Sequence, residues 1–238
     1  MPAASFNPAT IDWADPASFY LGDPELAQLA DVTIKHSGLE LPAHAAVLAL
    51  QSTVLKDLFC SLRVPASPGA KRKHEELETP FTSHSLQAVV FLLHLCYTEA
   101  KPAAFEAALP HLSGIARLAH SLDAARVLAG IDRFLAGRVS NQQAALEWLP
   151  LAEACQLEAA WAAGVRTLAK GMISSYGSCV NSAVDCLKLE HLSQNIQSAV
   201  LAAVVTAVRN LPDSSKAAAA TKVPSAALLR SGWQWPGL

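Results

Sequence analysis

The sequence predicts an α+β fold in which a small β-sheet is wrapped by short helices and followed by an all-α extension. Apolar residues alternate with period two around the Ser-Gly pair at residues 37–38, and helical spacing of apolar residues dominates the later chain. Hydrophobic residues make up 52% of the 238 residues, and much of that fraction is alanine, which has the highest helix propensity. We therefore expect more helix than strand.

The segment "DVTIKHSGLELPAH" predicts a β-hairpin. Val32, Ile34 and His36 alternate along one strand, the Ser-Gly pair at 37–38 supplies the turn, and the apolar pattern resumes at Leu39. The segment "HEELETPF" predicts one further short strand. The strands are few, which limits the sheet to a small part of the fold.

Apolar spacing predicts a series of helices around these strands. Residues 44–50 form a short helix, and Ser52 is placed to cap the next one. The apolar stripe of this second helix comprises Val54, Leu55, Leu58, Phe59 and Leu62. A longer helix in "SHSLQAVVFLLHLCYTE" has one apolar face, formed by Leu86, Val90, Leu93 and Tyr97. Two more helices are predicted over residues 109–121 and 124–137.

From Ser140 onward the pattern is helical only. The run "SNQQ" predicts a capping box between Ser140 and Gln143. A weak internal repeat, "LDAA" at residues 122–125 and "LEAA" at residues 157–160, indicates helical hairpins packed in series. The last helix is predicted over residues 192–211, where a proline ends it.

Charge and composition argue against several classes of partner. The formal net charge of -2 gives no broad attraction for phosphate backbones, so we expect no nucleic-acid partner. The longest apolar run, residues 199–208, is too short to cross a bilayer, and no secretory signal pattern is seen, so we expect a soluble protein with no membrane partner. Five scattered cysteines without a CxxC pair are typical of reduced thiols, which indicates the cytoplasm, the nucleus or both.

The sequence contains no motif for catalysis or cofactor binding. The patterns GxSxG, HExxH, GxGxxG and the P-loop are all missing. Cys179 and Cys186 lack companions at zinc-ligand spacing, and His111 and His120 lie too far apart for adjacent turns of one helix. We therefore expect no catalytic residue, no cofactor and no metal site.

Three segments carry a resemblance to a known family. "DVTIKHSGLELPAHAAVLALQSTVLKDLF", "FLLHLCYT" and "IARLAHSLDAARVLAGIDRFL" resemble segments of the BTB/POZ domain. The run that begins "NQQAALEWLPLAEACQLEAAW" resembles the 3-box and the start of the BACK region in MATH-BTB proteins. The resemblance implies a BTB/POZ domain over 31–139 and 3-box/BACK-like helices over 140–211. Composition predicts an irregular extension over 1–30, whose end "FYLGDPELAQLA" could form one turn or a short helix, and a flexible tail over 212–238.

This resemblance implies a dimeric substrate adaptor for a cullin-3 RING ubiquitin ligase. By position relative to the family's dimer surface, the expected homodimer interface comprises Leu21, Leu26, Leu29, Asp31 and Val47. The alternative is that these leucines fold back onto their own domain. His44, in the family's Ala-His step, is expected to be a structural residue. The sequence does not identify the target protein that such an adaptor would bring to the ligase.

Two departures from the family pattern leave a second function open. Ala45 stands where many relatives have Lys or Arg, and the loop "SLRVPASPG" lacks the glutamate of the hydrophobic-x-Glu motif. The expected cullin contact is therefore limited to Leu62, Val64 and Tyr97. The alternative function is a ligase-independent scaffold or a transcription-regulatory interaction protein, since no MATH, Kelch or ankyrin pattern is recognisable.

Overall fold

A computed structural model of the chain describes residues 11–13, 15–62, 75–98, 101–175 and 189–210. The chain forms two compact units, residues 1–134 and residues 135–238, and the division falls within one helix. Strands occur in the described part of the first unit, and the described part of the second unit is helical. The predicted α+β class is confirmed.

The first unit alternates short helices with three strands. Before the second unit the described elements are α1 (Ala17–Leu21), α2 (Pro24–Gln28), β1 (Val32–His36), β2 (Leu39–Ala43), α3 (Ala45–Gln51), α4 (Thr53–Leu62), β3 (Glu75–Leu77), a 3₁₀ turn (Phe81–Ser83), α5 (Leu86–Tyr97), α6 (Pro102–Ala107), a second 3₁₀ turn (Leu109–His111), α7 (Leu112–Ser121) and α8 (Ala125–Arg138). Helix α8 continues into the second unit. The helices predicted over 109–121 and 124–137 are thus present with small shifts of their ends.

The predicted hairpin is confirmed, and its turn explains the register. Ser37 and Gly38 both have positive φ, 52° and 82°, as a two-residue hairpin turn with right-handed strand twist requires. Ile34 therefore pairs with Leu41, and both side chains are completely buried. Strand β3 pairs parallel to β1 on its other side, so the order is β2-β1-β3. Helices α3 and α4 lie in the crossover that parallel pairing demands.

Helix α5 is the centre of the first unit. The sequence predicts one apolar face, but the helix packs against α1, α3 and α7 and is buried on nearly every side. Its buried residues are Ala88, Val89, Val90, Phe91, Leu92, Leu93, Leu95 and Cys96. A helix that is apolar all round needs neighbours all round. The predicted apolar face was therefore smaller than the buried surface of the helix, because the prediction did not include packing of α1 against α5.

Helices α1 and α2 lie in the segment expected to be an irregular extension. Gly22, with φ of 70°, ends α1, and the side chain of Asp23 accepts from the backbone N–H of Glu25 to start α2. The ring of Phe19 packs edge-on against Phe91 of α5, with centroids 5.7 Å apart. This docking buries Leu21, which is only 7% exposed.

The second unit is built on helices that pack around one apolar core. Its described elements after α8 are α9 (Gln142–Ala154), α10 (Glu158–Ser175) and α11 (Gln194–Arg209). Their shared core consists of Val139, Ala145, Leu149, Val165, Leu168, Ile196 and Val200. The predicted capping box is wrong by one residue: Asn141, not Ser140, caps α9, its side chain accepting from the backbone N–H of Ala144. Asparagine is as good a cap as serine, so the extended backbone at residue 141 decides the start.

The weak internal repeat corresponds to two similar turns between helices, but the equivalent residues are not the ones that the matching letters align. Asp123 ends α7 and Gln156 ends α9 with positive φ, 50° and 56°. In each turn the next residue donates its N–H to a carbonyl five residues earlier, Ala124 to Ala119 and Leu157 to Ala152. Both are Schellman motifs, and they are 33 residues apart rather than the 35 suggested by the matching letters.

We predict that Gly164→Ala destabilises the second unit by about 1–3 kcal/mol. A Cβ at residue 164 of α10 would lie 2.6 Å from Cγ of Leu149, a buried side chain of α9. Gly137→Ala in α8 is the matched control, because a Cβ there meets nothing within 4 Å. The control should be neutral or slightly stabilising. Urea unfolding of both variants checks the difference, and equal stabilities would contradict this account of the packing.

Candidate protein-interaction site

The step from β2 into α3 is organised around His44. His44 is the N-cap residue of α3, with extended backbone, but its side chain makes no capping hydrogen bond. The phenol oxygen of Tyr97, at the end of α5, instead accepts from the backbone N–H of His44 at 2.8 Å. The same oxygen lies 2.9 Å from Nδ1 of His44. Tyr97 thus binds both the backbone and the ring of the residue that starts the helix.

Asp31 supplies the second cap of the same helix. Its carboxylate accepts from the backbone N–H of Ala45 at 2.7 Å, and its own N–H donates to the carbonyl of Ala43. A carboxylate at a helix N-terminus is favoured by the helix dipole as well as by the hydrogen bond. The start of α3 is therefore fixed by two side chains that are distant in sequence.

Two tyrosines connect this junction to α1 and α5. Tyr20 is buried, packs against Tyr97 with ring centroids 5.9 Å apart and donates its hydroxyl to the carbonyl of Pro42. Burial raises the pKa of Tyr97 to about 12, with smaller contributions from Cys96 and Asp31. The hydrogen bond from His44 acts in the opposite direction. Both hydroxyls therefore stay protonated at neutral pH; burial raises the pKa of Tyr20 as well.

At the other end of α3, Ser52 joins three parts of the unit. Its hydroxyl donates to the carbonyl of Leu122 and accepts from the N–H of Leu55, which confirms Ser52 as the cap of α4. Next to it, the hydroxyl of Thr53 donates to the carboxylate of Asp123. Both ends of α3 are thus held by hydrogen bonds to distant elements.

The outward side of α3 is apolar. The helix "AAVLALQ" has no charged residue, and Ala46 and Leu50, one turn apart, are exposed. Leu50 is 84% exposed, while Val47 and Ala49 are half-buried. A helix on a protein surface normally presents polar residues to water, so this face is typical of a surface that another protein covers.

Further exposed apolar side chains flank this helix in sequence. Leu29 is 70% exposed, two residues before Asp31, and Leu26 is also exposed. Val54, in the first turn of α4, is 42% exposed, although the sequence placed it in the apolar stripe of that helix. We call Leu26, Leu29, Val47, Leu50 and Val54 the apolar surface set.

The residues predicted for interaction have different surroundings. Leu26 and Leu29 are exposed as expected, and Asp31 and Val47 are half-buried. Leu21 is a correction: its side chain is already covered within its own domain, because α1 docks on α5. Leu50 and Val54 were missed, although the charge-free sequence of α3 was the signal that pointed to them.

Of the residues predicted to contact a cullin, Tyr97 is the one whose side chain lies among the described residues. The side chain of Leu62 and the whole of Val64 lie outside the described residues, as does the Trp-bearing tail. The hydroxyl of Tyr97 is occupied by His44, and its ring is half-buried. Tyr97 is therefore first of all a structural residue of the junction, which the sequence did not indicate.

Among the described residues, no group of three or more His, Cys, Asp or Glu side chains is arranged to hold a metal ion. In the same part of the chain, no helix combines the length and apolar character needed to cross a membrane.

We predict that Tyr97→Phe lowers the free energy of unfolding by about 1–3 kcal/mol, because the partly buried N–H of His44 loses its acceptor. Asp31→Asn should be milder than Asp31→Ala, since an amide oxygen still accepts from Ala45. Denaturant unfolding measures both effects. Curves for Tyr97→Phe that superimpose on those of the unaltered protein would contradict the capping role.

Comparison with known proteins agrees with this geometry. No curated protein matches the chain significantly. Residues 22–137 match the family model of the BTB/POZ domain, and the match includes the hairpin, the His44 junction and α3. The resemblance predicted from the sequence is confirmed to that extent. Residues 22–137 thus match a BTB/POZ domain, a module for protein–protein interaction.

Proposed function

We propose that the protein is a self-associating interaction module whose two copies meet through the apolar surface set. The observation that supports this is the uncharged outer face of α3, with Leu50 84% exposed. In a two-fold interface each residue of the set occurs twice. Such self-complementary interfaces are more apolar than the rest of the protein surface.

The free energy gained by burying these side chains indicates that a stable dimer would need most of the apolar surface set. Burying one exposed leucine fully contributes about 1.5–3 kcal/mol. Leu29 and Leu50 from both copies would together contribute on the order of 6–12 kcal/mol. Association itself costs about 4–15 kcal/mol in lost freedom, a range that overlaps this gain, so the two leucines alone leave little margin for a stable dimer. Leu26, Val47 and Val54 are the additional apolar residues that the interface would use.

Beyond self-association, we propose that the protein acts as an adaptor for a cullin-3 ubiquitin ligase and carries no catalysis of its own. The BTB/POZ match and the resemblance of residues 140–211 to 3-box and BACK helices support this role. In this role Leu62 and Val64 would contact the cullin, and a target would bind elsewhere on the chain. Such an adaptor would work in the cytoplasm or nucleus.

A scaffold that works without a ligase is the second candidate, and two observations favour it. The loop after α4, "SLRVPASPG", has no glutamate at the position that cullin-binding relatives use. In addition, the hydroxyl of Tyr97 is held by His44. A scaffold would keep the apolar surface set for self-association but would not bind cullin-3.

We predict a dimer at about 10 μM by size-exclusion chromatography with light scattering, and a monomer for Leu50→Asp. The buried carboxylate would make the interface unfavourable, while an 84% exposed position tolerates it in the single chain. Ala103→Asp, at an exposed site in α6, is the matched control and should stay dimeric. A monomeric unaltered protein, or a dimeric Leu50→Asp, would refute the proposed interface.

The cullin question is decided by mixing the full chain with the purified amino-terminal domain of cullin-3. The adaptor function predicts a complex that Leu62→Asp abolishes and Leu50→Asp preserves, because the proposal assigns Leu62 to the cullin contact and Leu50 to self-association. The absence of any complex at tens of micromolar would reject the adaptor function and favour the scaffold. Self-association is measured separately, so it stands or fails independently.

A further inference from the structure

Two sides of α11 are those of an ordinary surface helix. On the inner side, Ile196 and Val200 are completely buried in the core of the second unit, where α10 packs against them. The side that faces water consists of Asn195, Ala202, Thr206 and Arg209, all of which are exposed. An amphipathic helix needs no more than these two sides.

A third side of α11 is apolar but does not belong to this core. Leu201, Val204 and Val205 are spaced i, i+3 and i+4, so they lie next to each other on the helix surface. Leu201 follows Ile196 by five residues, which corresponds to about 140° of rotation around the helix axis. Among the described residues, neither the core nor the apolar side chains packed against it include any of the three. We call Leu201, Val204 and Val205 the second apolar stripe.

The second apolar stripe needs a neighbour of its own. Its three side chains are half-buried, so water still reaches them. The sequence of residues 194–208 contains no charged residue that could separate the stripe from the core side. A helix whose apolar surface extends over about half of its circumference needs packing partners in more than one direction. Since α10 packs on the core side, a further apolar segment is required for the stripe.

The chain itself contains an apolar segment that suits this surface. Residues 211–238 lie outside the described residues, and their sequence ends in "VPSAALLRSGWQWPGL" over 223–238. This segment has two tryptophans, Trp233 and Trp235, and Arg230 is its one charged side chain. Tryptophan provides a large apolar contact area. Because residues 194–208 are uncharged, no repulsion between charged side chains opposes contact with the stripe.

The connection between the two segments is long enough for this contact. Leu201 precedes Arg209 by eight residues, or about 12 Å along the helix axis. Residues 211–222 supply twelve residues of connection, and a flexible chain of that length has an r.m.s. span of roughly 20 Å. A short tether of this kind gives an effective concentration of about 1 mM. At about 10 μM protein, the tethered segment therefore has an advantage of about a hundredfold over the same segment of a second copy.

We propose that residues 223–238 fold back within their own chain and cover the second apolar stripe, with Trp233 and Trp235 as the main contacts. The second apolar stripe and the apolar surface set then have different partners. The first is covered by the same molecule, and the second by another copy. The intramolecular contact does not depend on self-association, so either can fail without the other.

Local hydrogen exchange in the full chain tests this contact. Replacing both tryptophans, by Trp233→Ser with Trp235→Ser, should make amides of residues 201–208 exchange several-fold faster, because the cover of the stripe is lost. Gln234→Ser, between the two tryptophans, is the matched control and should leave the exchange unchanged. Amides of α9 in the same molecules are the internal reference. Unchanged exchange of residues 201–208 in the double variant would overturn the proposal and assign the stripe to another occupant.

A second pair of variants tests the contact from the side of α11. Val205→Asp places a carboxylate in the stripe and should make amides of residues 226–236 exchange several-fold faster. Ala202→Asp, on the exposed side of the same helix, should not. Equal exchange of residues 226–236 in Val205→Asp and the unaltered protein would refute the contact. Protection that increases between about 1 and 50 μM protein would refute it too, because it would identify a second copy as the occupant.

Discussion

The capping of α3 is the constraint on which the interaction face depends. The first backbone N–H groups of a helix have no partner within the helix and need one elsewhere. Here His44 does not provide a side-chain cap, so Asp31 and Tyr97 take over, one from the chain before β1 and the other from the end of α5. The start of α3 is consequently fixed to both the sheet and the central helix.

This arrangement explains how a helix of seven residues can be a stable surface element. A helix this short is marginal in isolation, and its position must come from tertiary contacts. On the inner side Ala45 and Leu48 are buried, and Ser52 ends the helix against Leu122. The outer side is then free to remain apolar, because the stability of the helix in one chain does not depend on it.

Local patterns predicted the hairpin and the Ser52 cap, because each depends on a few adjacent residues. The burial of Leu21 and of nearly every side of α5 was not predictable in this way, since it depends on α1 docking across the unit. The role of Tyr97 was missed for the same reason: its partner His44 is 53 residues away. The single error in helix capping, at Ser140, came from two adjacent residues with equal capping ability.

The turn between α7 and α8 has a role beyond joining two helices. Asp123 adopts a left-handed backbone conformation, for which glycine is the usual choice. Glycine has no side chain, however, and the carboxylate of Asp123 binds Thr53, 70 residues earlier in the chain. The left-handed conformation of Asp123 thus costs a small backbone free energy, while its hydrogen bond with Thr53 closes a long loop of the polypeptide. Closing a loop of that length has an entropic cost, which the neighbouring contact of Ser52 with Leu122 helps to offset.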